Sequence, residues 1–346
     1  MDKNPVPSTP QKTRFGWAKK IPLDSQTLLL LGVFIVLFIF FSVANDRFFT
    51  VRSVRSMSYQ LPEIGVLSLA MMITILVGGI NLSVNATSNM AAVIAGFFMV
   101  KLIPADASSQ VVGLYMALAI LVALLIGVLC GVLNGILVGY IGVPPILATL
   151  ATFTLYTGIS TGLTGGKTVT GFPDQFAKIG STTVLGVPLP FIIFVLLALA
   201  ISILIQRTTF GFKARMMGSN PVAATFSGID NPSMIMKIFI ISGVLSAVTG
   251  ILTMSRTMSA AYEYGTTTFV LLTILISVLA NILPGFGSVL NIFVAVLILQ
   301  IISTGFNMLL TGVSGGTFFK DFSWGVLMIL IFITNYFIRR RRQTES

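Results

Sequence analysis

The runs without an acidic or basic residue decide what this chain can become. Residues 25–45, 64–100, 107–166, 179–206, 238–255, 264–319 and 322–338 contain no Asp, Glu, Lys or Arg. About 20 such apolar residues cross the hydrocarbon of a bilayer as a helix. A helix is required because every backbone N–H and C=O must find a partner within its own segment. Composition agrees: 55% of the 346 residues are hydrophobic and 9% are charged, against about 25% charged in soluble domains. The mean hydropathy is +0.99. The three longest runs must fold back at Gly, Pro or Asn breaks. Breaks near 78–85, 139–145 and 281–287 predict an all-α integral membrane protein, a polytopic bundle of about ten transmembrane helices over residues 25–338. A polar tail (1–24) precedes it and a basic tail (339–346) follows.

The net charge of +11 does not mark a nucleic-acid surface, because the cations are scattered between apolar spans rather than gathered on one basic face. With ten spans both termini share a side. That side holds Lys3, Lys12, Arg14, Lys19, Lys20, Arg207, Lys213, Arg215, Lys237 and Arg339 to Arg342. The other side holds the remaining cations, Arg256 among them, beside six acids that include Glu63. The positive-inside rule then places both termini and the 207–237 loop in the cytoplasm. Ser42-Val43-Ala44 superficially resembles a signal-cleavage site, but with so many spans downstream the first helix is expected to stay. On this threading no carboxylate sits mid-span, so the usual proton- or sodium-coupling device is missing.

Several chemistries are excluded by residue type. The chain has no histidine and one cysteine, Cys130, deep in an apolar segment. That removes imidazole catalysis, imidazole or thiolate metal sites and any disulfide framework. No cofactor is expected. Gly162 to Thr168 resembles a phosphate-binding loop, but only three residues separate Gly162 from Gly166 where that motif needs four. Gly127, Gly131, Gly135 and Gly139 recur at every fourth residue and clear one helix face for close packing. Asn134, in the same segment, reads as an interhelical hydrogen-bonding group. Asn81, Ser83, Asn85, Asn89 and Asn307 are candidates for a translocation pathway, since polar groups in an apolar bulk often line one. Neutral amides and hydroxyls suit a neutral polyhydroxylated solute better than an ion.

The polar stretch Arg207–Asp230 stands apart. Its cations and Gly218-Ser219-Asn220-Pro221 turn cannot lie in hydrocarbon. Asn220 sits where an N-cap belongs, Pro221 at the first helical position, and Val222, Ala223 and Ala224 can continue the helix until Gly228 ends it. A short structured helix on one face of a membrane protein is a docking surface.

Three patterns resemble the permease subunits of bacterial ATP-binding-cassette importers for simple sugars, the group with the ribose, galactose, xylose and autoinducer-2 permeases. They are Val77-Gly78-Gly79-Ile80-Asn81-Leu82-Ser83-Val84, the segment from Asn134-Gly135 through Pro144-Pro145-Ile146-Leu147-Ala148-Thr149-Leu150, and the 207–230 stretch. The likeness runs from about residue 27 to 338. By resemblance, Gly218, Asn220, Ala223, Ala224, Ser227 and Gly228 couple the permease to cytoplasmic ATPase subunits. The resemblance further implies a periplasmic sugar-binding protein, a second permease subunit in a homo- or heterodimer, and residence in the bacterial inner membrane. It implies no catalysis by this chain. Asn81 stands where the family usually has Asp, Asn85 where it has Gly, and Leu279 to Gly287 replaces a glycine-rich pattern. A nucleoside permease of related architecture and a stand-alone transporter or facilitator are the alternatives. Arginine at Ala223 or glutamate at Gly218 is expected to abolish uptake through a clash with the ATPase.

Overall fold

The computed structural model describes residues 25–104, 106–311, 322, 324–326 and 329. The two tails and most of the last expected span therefore lie outside the described residues. Among the described residues up to Leu309, twelve α-helices follow in order: α1 (Ser25–Ala44), α2 (Val51–Leu76), α3 (Val84–Leu102), α4 (Ser109–Gly135), α5 (Pro145–Thr164), α6 (Asp174–Ser181), α7 (Leu189–Arg207), α8 (Thr209–Ser219), α9 (Pro221–Phe226), α10 (Asn231–Thr257), α11 (Thr266–Leu279) and α12 (Val289–Leu309). A π-helical turn, Ile136–Tyr140, prolongs α4. The strands among the described residues are two-residue pieces: β1 (Val169–Thr170) pairs with β4 (Ser259–Ala260), and β2 (Thr183–Val184) with β3 (Val187–Pro188).

Seven described helices are long and apolar enough to cross a membrane: α1, α2, α4 with its π turn, α5, α7, α10 and α12. This is fewer than the ten expected. The first turns of α3 are diluted by Asn85, Thr87, Ser88 and Asn89. Helix α11 has 14 residues, about 21 Å of rise, which is short of a full crossing. The three helix breaks do fall where expected. Gly78, at φ +88°, ends α2; Pro145 opens α5; and Asn281, Gly285 and Gly287, all at positive φ, separate α11 from α12. Gly165 and Gly166, at φ +58° and +76°, form the left-handed end of α5 rather than a phosphate cradle before a helix.

Helices α2 and α10 form the centre. Val66 to Ile73 of α2 are buried without interruption, so this part of the helix is enclosed by protein on all sides. Helix α10 packs on α2, α3 and α4. Its contact with α4 uses the glycine stripe. A Cβ placed on Gly127 would come 2.5 Å from the Gly243 carbonyl oxygen, and one on Gly131 would come 2.5 Å from that of Phe239. Only hydrogen fits at these positions, which brings the two backbones together as small-residue packing in membranes requires.

Replacing Gly131 by leucine must push α4 off α10. We expect this overpacking to cost about 1–3 kcal/mol, read as a lower melting temperature of the purified protein, whereas leucine at Gly158, which faces open space, should leave melting unchanged.

Candidate solute and coupling sites

The sequence-selected polar residues fall into two groups and one outlier. The first group fills the break between α2 and α3. Asn81 donates through Nδ2 to Ser242 Oγ (3.0 Å) and accepts at Oδ1 from the Ser83 backbone N–H (3.1 Å) and hydroxyl (2.7 Å). Asn134 Nδ2 donates to Ser83 Oγ (2.8 Å), and Thr152 Oγ1 donates to Asn134 Oδ1 (2.7 Å). Ser242 donates onward to the Ala70 carbonyl (2.9 Å). The chain of bonds thus joins α2, α3, α4, α5 and α10, and all five side chains are buried. Asn134 is an interhelical hydrogen-bonding group, as its setting in the sequence implied.

The second group is Asn85 and Asn89, one turn apart on α3. Their amides hold the approach to α11: Asn85 donates to the carbonyls of Tyr264 (2.9 Å) and Thr266 (3.2 Å), and Asn89 to those of Tyr262 (2.9 Å) and Tyr264 (2.9 Å). Asn307, on α12, is exposed and stands apart from both groups.

A third polar cluster escaped the sequence reading. Glu63 is not in a loop but inside α2, 4% exposed. Arg256, in the last turn of α10, donates through Nε to Glu63 Oε1 (2.6 Å) and through Nη2 to the Tyr264 hydroxyl (3.0 Å). The Tyr264 hydroxyl lies 3.3 Å from Glu63 Oε2 as its donor. Burial, reinforced by the Glu63 charge, pushes the Tyr264 phenol up to about 12, which keeps it a neutral donor at physiological pH. Pro62 precedes Glu63 and leaves the Ser58 carbonyl without its helical N–H partner. These groups border a cavity of about 260 Å³ that Gln60, Gln300, Ser303 and Trp324 also line. Glu63 and Arg256 are 193 residues apart, so nothing local in the sequence could pair them.

The 207–230 stretch holds two helices rather than one. The sequence pattern located α9 correctly: the Ala223 N–H bonds Asn220 Oδ1 (3.0 Å), Pro221 is the first helical residue, and Gly228 follows the end at φ +77°. It missed α8, whose N-cap is Thr208. Asn231 Nδ2 clamps α9 to the start of α10 through the Pro221 carbonyl (2.9 Å) and Thr225 Oγ1 (3.0 Å). Asn220, Ala223, Ser227 and Gly228 are exposed and Ala224 is buried. Gly218 faces inward, against the Leu76 carbonyl, so glutamate there would break the fold instead of probing an outer surface. The large exposed groups are Val222 (65%) and Phe226 (90%), one turn apart. Arg215, which adds charge to the stretch without being needed for the resemblance, donates through Nη2 to the Gly287 carbonyl (2.8 Å) and ties α8 to the α11–α12 turn. Burial lowers its guanidinium pKa.

Residues 54–334 match the family described as branched-chain amino acid transport system / permease component. Among similar proteins, the autoinducer 2 import system permease protein LsrD of Enterobacter sp. (strain 638) is 30% identical over 296 residues, covering 84% of this chain and 86% of the relative. Its namesake in Yersinia enterocolitica (serotype O:8 / biotype 1B) is 29% identical over 304 residues, covering 86% of each. The namesake in Yersinia pestis (strain Pestoides F) is 29% identical over 304 residues, covering 86% of this chain and 85% of the relative. No solved structure matches the chain.

Alanine at Asn134 would strip the Ser83 and Thr152 hydroxyls of their shared partner. We expect a loss of about 1–2 kcal/mol, read as a lower melting temperature in detergent. Alanine at exposed Asn307 should be neutral in the same assay.

Proposed function

The chain belongs to the branched-chain amino acid transport system / permease component family, and from that premise we propose that it is the permease subunit of an ATP-binding-cassette importer for a simple sugar or sugar-like solute. Its energy comes from ATP hydrolysis on separate cytoplasmic subunits, and a periplasmic binding protein delivers the solute to a pore formed with a second permease subunit. The names of the relatives support the solute class, since they are permeases of an import system for autoinducer 2. The chain itself supplies spans, breaks and the exposed face of α9.

The observation that carries this reading is α9. A six-residue helix capped by Asn220 and clamped by Asn231 is held rigid, yet it presents Val222 and Phe226 outward. Lys213, Arg215 and Lys237 lie close to it in sequence, and the positive-inside rule puts such a segment in the cytoplasm. There, exposed apolar anchors are unfavourable unless a partner covers them, and an aromatic anchor seated in a pocket is the usual centre of an interface. The ATPase would grip this helix and bind its two positions unequally, which is what a driven conformational switch needs.

Gentle solubilisation of the tagged permease and identification of what co-purifies tests this. We expect an ATPase subunit with the wild-type protein. We expect its loss with Ala223→Arg or Phe226→Asp, at unchanged yield and melting temperature because both side chains are exposed. Failure to recover any ATPase under several mild detergents would replace the proposal with a stand-alone transporter.

A further inference from the structure

Within the importer reading, on which this step rests, we infer that the cavity at Glu63 and Arg256 is a binding site for a small neutral polyhydroxylated solute. The pair has no good reason to exist for stability alone. Desolvating two charges commonly cancels what their attraction returns, and apolar residues of similar volume often serve as well or better. Ionisable groups inside membrane bundles mark sites instead. Here the pair is oriented as a site requires. Glu63 is held by both partners at its two oxygens, whereas Arg256 commits Nε and Nη2 and keeps a side chain that is 29% exposed.

Charge balance sets the solute class. Among the described residues that line the cavity, Glu63 and Arg256 are the charged ones, and they neutralise one another, so this pair favours neither a cation nor an anion. The other polar groups, from Gln60, Gln300 and Ser303, both donate and accept, which matches hydroxyls that do the same. Leu61, Ile64, Phe269 and Val296 provide apolar walls for the carbon face of a ring. The volume, about 260 Å³, is just under the roughly 300 Å³ at which pockets for drug-sized ligands begin. A monosaccharide fits that description and an oligosaccharide or a phospholipid does not.

The chain carries its own reporter. Its two tryptophans are Trp17, in the amino-terminal tail, and Trp324, which lines the cavity. With Trp17→Phe in lipid nanodiscs, the emission of Trp324 is titrated with D-ribose and D-glucose, and with D-glucosamine and D-glucuronate as cationic and anionic counterparts. A saturable change is expected with a neutral sugar, and a weaker response with both charged derivatives. Gln300 bonds only to Thr304 in its own helix, so Gln300→Leu leaves the ion pair and the fold in place. It should weaken binding of the neutral sugar about fivefold. Three results would overturn the site: no saturable response to either neutral sugar, equal binding of a charged derivative, or unchanged affinity in Gln300→Leu. Sugar binding at Trp324 without ATP-driven uptake in cells would instead sink the importer reading and leave the site standing. ATP-driven uptake with a silent Trp324 would do the reverse.

Discussion

Backbone polar groups inside an apolar bundle must be paired within the protein, and the break between α2 and α3 is where that demand is hardest to meet. Helical bonding stops at Gly78, so the peptides from Ile80 to Ser83 need other partners. Thr149, from α5, is one of them. Its Oγ1 accepts from the Leu82 N–H at 3.1 Å and lies 3.0 Å from the Ile80 carbonyl. Asn81 supplies another by folding its own side chain onto the Ser83 N–H. Asn81 is also bonded to Ser242 on α10, and Ser83 to Asn134 on α4. The break is therefore the place where five helices are held in register. An interrupted helix at this depth is stable only because its neighbours complete it.

That constraint explains why the packing around it is so small-grained. Helix α10 cannot deliver Ser242 to Asn81 unless it runs close to both α2 and α4. Ser242 and Ser246, both fully buried, and the Gly127–Gly243 contact allow this closeness. Bulk is placed elsewhere, in the fully buried Phe41, Phe194 and Phe239. Outward faces of α1, α4 and α5 keep Leu and Ile exposed, which suits lipid contact, where hydrocarbon is the solvent.

What the sequence showed and what it hid divide along physical lines. Helix breaks, the Asn220 cap and the glycine stripe are local patterns: φ freedom, capping geometry and a four-residue period act over one or two turns. Each fell where the pattern put it. The Glu63–Arg256 pair is the opposite case. Reading each residue from its neighbours alone places it at the charged end of an apolar run, in a loop. Only the length of α2, which starts twelve residues before Glu63 despite Arg52 and Arg55, carries the carboxylate indoors. Helix α8 was hidden because Gly211, Lys213, Arg215 and Gly218 dilute a helical pattern that tertiary contacts nevertheless enforce. Val222 and Phe226 were passed over because the motif selects for small and capping residues, whereas exposure decides which side chains a partner meets.

Helix α2 brings the two proposed sites into one mechanical account. Its last residue, Leu76, receives the Gly285 N–H at 2.8 Å and has Gly218 of α8 packed on its carbonyl. Thirteen residues earlier, about 20 Å along the same helix, stands Glu63. Asn220 is at once the C-cap of α8 and the N-cap of α9, and Arg215 fastens α8 to the α11–α12 turn. A displacement of α9 on the proposed ATPase therefore meets no flexible linker before it reaches α2. On α2 it meets Pro62, where one helical bond is missing beside the carboxylate. A rod joined firmly at one end and weakened partway along bends at the weak point. On the proposed reading, work done at the docking helix is delivered where the Glu63–Arg256 contact and its solute can be rearranged, which gives the switch an element that both partners bias.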